Sequence, residues 1–288
     1  STPTSPERIR MIEFKNTDQW DLQEMAQTFN KKGFVLGGKL LSDASIDLLN
    51  EKIEKYLAVQ KAKNAEDVSV MGNDKNSVIL QMCNVWYGVD EIAEILRSSE
   101  FDAILKGLFG NDTYRLYHDQ LQFKPERIGG VNCWHQDVEF WPFREPYTEV
   151  TAWLALDDVD ERNGCMRMVP GSHQWGAATD YLRALTHYLP LEESYNGNHI
   201  DVESCIVPKG HVHFHHNLAW HGSGPNFSEK PRRALAFHIV KGKFFHEPKY
   251  GYKLDLSLHE EIKGDHFPVI GTSFSSWSSR LEKAQSDQ

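Results

Sequence analysis

The chain has 288 residues, 40% of them apolar and 11% aromatic, enough to bury the core of one large domain or two small ones and to exclude disorder as the main state. Its 41 acidic and 31 basic side chains leave a formal charge of −10, which opposes non-specific attraction to nucleic acid or to an anionic membrane. No apolar run approaches the ~20 residues a membrane-spanning helix needs, and Ser1–Arg10 lacks a hydrophobic signal core. Cys83, Cys133, Cys165 and Cys205 lie far apart, unlike a disulfide scaffold or a paired-cysteine zinc site. The expectation is a soluble, cytoplasmic protein with reduced thiols; its oligomeric state is not legible.

In chain order, Thr17 or Asp18 is the expected N-cap of a first helix carrying Trp20, Leu22, Met25 and Phe29 and stopping near Gly33. A short strand is expected at 34–36. Ser42 and Asp43 can cap a second helix, in which Ile46, Leu49, Ile53 and Leu57 recur at helical spacing. The polar stretch 61–74 reads as a loop, and a third helix runs from Asp90 towards Phe109, with Gly110 as its stop. From Thr113 the texture changes to short β-prone runs at 114–123, 149–156, 165–169, 205–207, 211–216 and 234–240. That spacing suits an antiparallel barrel or sandwich. Long interruptions fall at 125–130 and 179–199, and the only low-complexity patch is 273–279. The economical reading is one domain: a helical part over about 1–112, a β core over about 113–245 and a C-terminal extension over 246–288.

Within the β region, Trp134-His135-Gln136-Asp137 sits where a strand meets a loop. In extended backbone the side chains of His135 and Asp137 project to the same side, so an imidazole and a carboxylate can share one cation. A second imidazole, His221, follows a β-prone run in Trp220-His221-Gly222-Ser223-Gly224, and barrel closure can bring it opposite the first pair. Two histidines and a carboxylate on one face of an octahedron leave three open positions, as in non-haem Fe(II) oxygenases. A His-x-Asp triplet alone is weak evidence in a chain with 14 histidines. Arg232, eleven residues after His221, adds a guanidinium that can grip a dicarboxylate through two parallel hydrogen bonds. Its neighbour Arg233 competes for that role, because adjacent strand residues face opposite ways. His211, His213 and His215 also alternate along one run and form a competing stripe, although no glutamate stands at the spacing a cupin site requires. The aromatic density around the motif, which includes Trp134, Phe140 and Trp220, is mostly core by composition.

These motifs, taken in order, resemble the phytanoyl-CoA dioxygenase family of Fe(II)- and 2-oxoglutarate-dependent oxygenases. The matching stretches are His135-Gln136-Asp137 with Trp141-Pro142-Phe143-Arg144, Ala152-Trp153-Leu154-Ala155-Leu156, Asn163-Gly164-Cys165-Met166, Pro170-Gly171-Ser172-His173, and His221-Gly222-Ser223-Gly224-Pro225-Asn226 with Arg232. The resemblance covers roughly residues 114–240. His211 stands where members of that family often carry Asp, a departure that bears on the local turn.

The resemblance implies a mainly β fold with flanking helices around a double-stranded β-helix, a jelly-roll of the cupin type. It implies His135, Asp137 and His221 as catalytic iron ligands, Arg232 on the distal carboxylate of 2-oxoglutarate, Trp153 as an aromatic wall beside that cosubstrate, and Gln120 as a further contact. Dioxygen is the implied co-reactant, and succinate and carbon dioxide the co-products. Hydroxylation of an unactivated C–H bond of a small organic metabolite is the default outcome, with desaturation, cyclisation or epoxidation set by substrate pose. Asp137 argues against halogenation, for which a small residue replaces the carboxylate. Trp141 and Phe143, close after Asp137, are expected to rim the substrate side, and the loops at 61–80 and 179–199 to carry specificity. Two other readings stand beside this one: a ligand-binding barrel without turnover, and a zinc-dependent non-redox enzyme at the same triad.

Overall fold

Asp21 caps the first helix, α1 (Leu22–Lys32), accepting the Glu24 amide at 3.0 Å. Thr17 and Asp18 do not, because a turn closed by the Trp20 amide on the Thr17 carbonyl uses up residues 17–20 before the helix starts. Gly33 ends α1 at φ 85°, a left-handed cap. Strand β1 runs over Phe34–Lys39, longer than expected, and α2 over Asp43–Ala62. The helical pattern after Asp90 is two helices, α3 (Asp90–Arg97) and α4 (Ser99–Phe109). Ser98 between them is extended, and its hydroxyl donates to the Ile95 carbonyl while accepting the Phe101 amide. The apolar periodicity does not reveal this break, because both helices bury the same kind of face.

The computed structural model describes residues 9–62, 68–74, 77–249 and 252–275. Parts of the 61–80 loop expectation and of the 273–279 patch lie outside the described residues. Strands β2 (Val68–Asp74) and β3 (Ser77–Cys83) form an antiparallel hairpin where a loop was expected. β2 is the outermost strand of its sheet, where one-sided pairing makes few compositional demands. The long central strand β4 is Tyr114–Lys124, followed by β5 (Asn132–His135), β6 (Val150–Ala155) and β7 (Met166–Met168). The 179–199 interruption holds helix α5 (Thr179–Arg183) and a small hairpin, β8 (Ser194–Tyr195) with β9 (Asn198–His199). Then come β10 (Glu203–Ser204), β11 (His211–His216), β12 (His221–Ser223) and β13 (Arg232–Lys241). The expected strand at 205–207 is reduced to an isolated bridge between Val207 and Val159. Pro208, which has no amide proton, follows it directly.

Two antiparallel sheets make the jelly-roll. The larger has seven strands in the order β1-β11-β6-β13-β4-β3-β2, and the smaller has four, β10-β7-β12-β5. Three strands of the larger sheet come from the amino-terminal part that reads as helical. The period of two along each strand divides the larger sheet cleanly. Leu154, Phe214, Leu235, Phe237 and Leu121 point outward and pack under α2, α3 and α4 in the main core. Thr151, Trp153, His215, Ala234, Ala236 and His238 occupy the alternate positions, on the face towards the smaller sheet. Ala234 and Ala236 are the small members of that face and pack in an apolar cluster with Trp153, Phe34 and Met166. No helix among the described residues is long and apolar enough to cross a membrane.

Candidate active site and metal centre

β12 pairs with β5 so that His221 lies directly across from His135. Asp137 opens the single 3-10 turn that follows β5. Between the two ligand candidates, Gln136 points the other way and is fully buried; its amide donates to the Gly176 and Leu218 carbonyls at 2.9 Å each and accepts the Ala178 amide. That anchor holds the His-x-Asp backbone extended, with 135 and 137 on one side. The Nε2 atoms of His135 and His221 lie 3.5 and 3.2 Å from Asp137 Oδ1. The ligand atoms of these three residues all lie within 4.8 Å of one another.

Each imidazole has its tautomer set by the carbonyl two residues before it. His135 Nδ1 donates to Cys133 O at 2.7 Å and His221 Nδ1 to Ala219 O at 2.9 Å. Both Nε2 lone pairs are therefore turned inward, ready for a cation. The second carboxylate oxygen of Asp137 is engaged elsewhere: Oδ2 accepts from Thr151 Oγ1 at 2.9 Å and from His215 Nε2 at 2.8 Å. Thr151 Oγ1 also sits 2.8 Å from His238 Nδ1, which must donate to it, since the one hydroxyl proton goes to Asp137. Burial would raise the Asp137 carboxyl, but His221 and His215 hold it well below the usual carboxylate range. His215 and His238 are both lowered to about 4, chiefly by burial, and are neutral donors at physiological pH. Two imidazole nitrogens and one carboxylate oxygen facing a common point suit a divalent metal with open positions.

A second set of groups lies along the same sheet. Arg232 pairs with Lys124 across β13 and β4, and both are buried. The Arg232 guanidinium stands 5.4 Å from the Trp153 ring, and its Nε and Nη1 have no hydrogen-bond partner. Lys124 Nζ donates to Ser223 Oγ at 2.7 Å and to the Gly224 carbonyl. Burial, then the neighbouring Arg232, push the Lys124 ammonium well below its ordinary value. Burial lowers Arg232 to about 10. A buried guanidinium with orphaned donors is unstable without an anion, and a carboxylate placed between Arg232 and Lys124 would satisfy the first and favour the charged form of the second. Arg233 faces the other way, onto Asp157 through Nε and Nη2, with Glu54 beside it.

A cavity of about 570 Å³ lies between the sheets, walled by His135, Asp137, His221, Trp153, Gln120 and Trp141 among others. Arg232 and Lys124 lie just behind that wall, beside its members Trp153 and Ser223. Phe143 is not part of the wall. It is fully buried against Tyr117 and Phe244, ring centroids 4.7 and 5.0 Å away, which corrects the expectation that it rims the substrate side. The competing stripe does not form a metal group: His213 stacks on Phe34, and His215 serves Asp137. Sequence reading missed Lys124, Ser223, Thr151, His215 and His238 as parts of the site. Lys124 shares the strand phase of Gln120 and Gln122, and that signal was available had β4 been extended by one residue.

A jelly-roll that sets two imidazoles from facing strands and a carboxylate from the adjoining turn around one point has the layout of the non-haem iron oxygenases. The pattern of the phytanoyl-CoA dioxygenase (PhyH) family matches residues 29–234. Peroxisomal phytanoyl-CoA dioxygenase of Rattus norvegicus is 30% identical over 265 residues, covering 83% of this chain and 74% of the relative. The Bos taurus enzyme is 27% identical over 237 residues, covering 75% and 68%. Among solved structures, a non-haem α-ketoglutarate-dependent carbocyclase from nogalamycin biosynthesis superposes with a TM-score of 0.72 at 21% identity, over 90% of this chain and 99% of its own. This chain belongs to the phytanoyl-CoA dioxygenase family, and its reaction class is that of an iron- and 2-oxoglutarate-dependent dioxygenase.

Proposed function

We propose that His135, Asp137 and His221 hold one Fe(II), that Arg232, Lys124 and Ser223 receive the distal carboxylate of 2-oxoglutarate beside Trp153, and that a small organic molecule is oxidised at an unactivated C–H bond in the remaining cavity. The observation that carries this reading is the pairing of a preset triad with an orphaned, buried guanidinium on the adjoining strand. Bound there, iron would activate dioxygen as the oxidant, with 2-oxoglutarate giving two electrons as it becomes succinate and carbon dioxide. The residues of the chain supply position. Cys133 and Ala219 carbonyls turn the imidazoles, Thr151 and His215 occupy Asp137 Oδ2 so that Oδ1 faces the metal, and the aromatic walls exclude bulk water. Gln120 lies on the cavity wall with its amide directed to Gln81, and Trp141 lies on the wall beyond the metal; both serve the substrate side in this reading.

Anaerobic addition of Fe(II) and 2-oxoglutarate to metal-free protein is expected to give the weak visible charge-transfer band of a chelated 2-oxo acid. His135→Ala and His221→Ala should each abolish it, because each removes one of three protein ligands. Retention of the band by both variants overturns the assignment. Release of succinate with iron but not with zinc separates this reading from a hydrolytic metal site.

A further inference from the structure

The wall of the cavity beyond the metal has an unusual chemical make-up. Among the described residues it holds no lysine or arginine, and its only carboxylate is Asp137, already committed to Thr151 and His215. It is nonetheless rich in neutral hydrogen-bonding groups. Trp153 Nε1 donates to Gln122 at 3.0 Å, Gln122 to Gln120 at 3.2 Å, and Gln120 to Gln81 at 3.3 Å, so that an indole on β6 leads into a row of three amides on β4 and β3. Strand pairing sets the imidazoles of His118 and His238 side by side in the next row of the same face. Opposite them stand flat rings: Trp141, edge-on to His238 at 4.9 Å, and Phe140, edge-on to Tyr252 at 5.3 Å.

This combination selects against two kinds of molecule. A carboxylate, phosphate or ammonium entering the wall would be desolvated with no counter-charge to meet it. A plain aliphatic chain would lie against the amide row and bury the second N–H of Gln120 and of Gln122, which the row itself does not use, away from water, the situation in which a polar site rejects an apolar analogue strongly. The total volume of about 570 Å³ is that of a pocket for a drug-sized ligand, with the end next to Ser223 and Trp153 reserved for the cosubstrate. We propose, on the basis of the oxygenase reading above, that the substrate is an uncharged, oxygen-rich, ring-bearing molecule, recognised by hydrogen bonds to the side-chain amides of Gln120 and Gln122 and by contact with the Trp141 and Phe140 rings, and not the acyl chain of a coenzyme A thioester or a free acid.

A matched pair of probes tests this. 4-Methylumbelliferyl β-D-glucoside and 4-methylumbelliferyl β-D-glucuronide share one ring system and differ by a hydroxymethyl group against a carboxylate. Each is titrated, alongside phytanoyl-CoA, into the anaerobic Fe(II) and 2-oxoglutarate complex, and perturbation of the visible band is followed. The glucoside is expected to half-saturate at a concentration at least about tenfold below that of the glucuronide. Gln120→Leu should remove that advantage while the affinity for 2-oxoglutarate, read from the band before any probe, stays unchanged. The proposal is overturned if the glucuronide binds equally well, if phytanoyl-CoA binds more tightly than the glucoside, or if no probe perturbs the band below about 1 mM. It is also overturned if Gln120→Leu weakens 2-oxoglutarate instead, since that residue would then belong to the cosubstrate. Failure of the band to form at all is a distinct result: it removes the oxygenase reading itself, and this proposal with it.

Discussion

His215 Nε2 lies 2.8 Å from Asp137 Oδ2, although 78 positions separate the two residues in the chain. The contact joins the larger sheet to the turn that Asp137 opens, and with Thr151 it leaves Oδ1 as the carboxylate oxygen not engaged by a donor from that sheet. A carboxylate held in this way would offer a metal one oxygen, Oδ1, and not both. Outer partners of this kind typically govern metal affinity by ten- to a hundredfold. Thr151→Val should therefore weaken Mn(II) or Fe(II) by about that factor, and Thr151→Ser, which keeps the hydroxyl, should restore most of it. Mn(II) titration followed by electron paramagnetic resonance reads the effect directly; equal affinity in wild type and Thr151→Val would show that Asp137 needs no such anchor.

The cosubstrate can be tested apart from the metal. Arg232→Lys keeps a charge but loses the planar fork, and is expected to raise the 2-oxoglutarate concentration that half-saturates the visible band by roughly ten- to a hundredfold, with iron affinity intact. Lys124→Met should act in the same direction. Arg233→Lys exchanges one half-buried ion pair with Asp157 for another and should leave 2-oxoglutarate unaffected, at a cost in stability of about 1 kcal/mol or less. A sensitive Arg233 with an indifferent Arg232 would place the wrong face of β13 at the site.

Trp141 and Phe143 are two residues apart and should behave differently. Trp141 is on the cavity wall and Phe143 is behind it. Trp141→Ala is expected to raise the succinate released per substrate oxidised, because a substrate that shifts no longer meets the oxidant squarely. Phe143→Ala should instead lower stability by about 3–5 kcal/mol through the cavity it leaves, with coupling in the folded fraction unchanged. Denaturant unfolding and the succinate-to-product ratio together distinguish the two.

Glu149 gives the stability curve a defined slope. It is buried, with Asn217 Nδ2 donating to it, and burial raises its carboxyl from the ordinary 4.5 to about 7. Between those two values the unfolded chain ionises this group and the folded protein does not, so the folded state binds more protons and stability falls as pH rises through the window. Above pH 7 the loss is complete. Glu149→Gln retains an acceptor for Asn217 and should flatten this part of the profile, with a gain on the order of 3 kcal/mol at pH 8 in urea unfolding. An unchanged pH profile would mean that the group is solvated in the folded protein.

Legibility from sequence followed the locality of each signal. His135 and Asp137 are readable together because a period of two puts alternate strand residues on one side, and His221 because it ends a β-prone run in a recognisable motif. Arg232 and Arg233 separate by the same alternation, one onto Trp153 and one onto Asp157. Lys124, Thr151 and His238 could not be found this way, since what makes them part of the site is cross-strand register, which pairs Arg232 with Lys124 and His238 with Thr151. The split at Ser98 escaped notice because one serine serves as the end of one helix and the start of the next without disturbing the apolar period. The hairpin of β2 and β3 does not stand out because the polar run 61–67 leads straight into β2, whose short run Val68–Met71 is followed by Gly72, Asn73 and Asp74, a composition typical of turns.

The last strand among the described residues occupies the middle of the larger sheet, with β6 on one side of β13 and β4 on the other. As the polypeptide leaves the ribosome, β4 and β6 emerge well before residues 232–241, and each waits with an unpaired edge. Long-range sheet closure of this kind is slow and leaves hydrogen-bonding edges open to neighbouring chains in the interval. Truncation before Arg232 would leave that gap permanently open, splitting the sheet into two halves. Nascent chains stalled in that interval are the species on which a chaperone would act, and expression at low temperature or with slowed synthesis should recover more folded protein than any change at the surface.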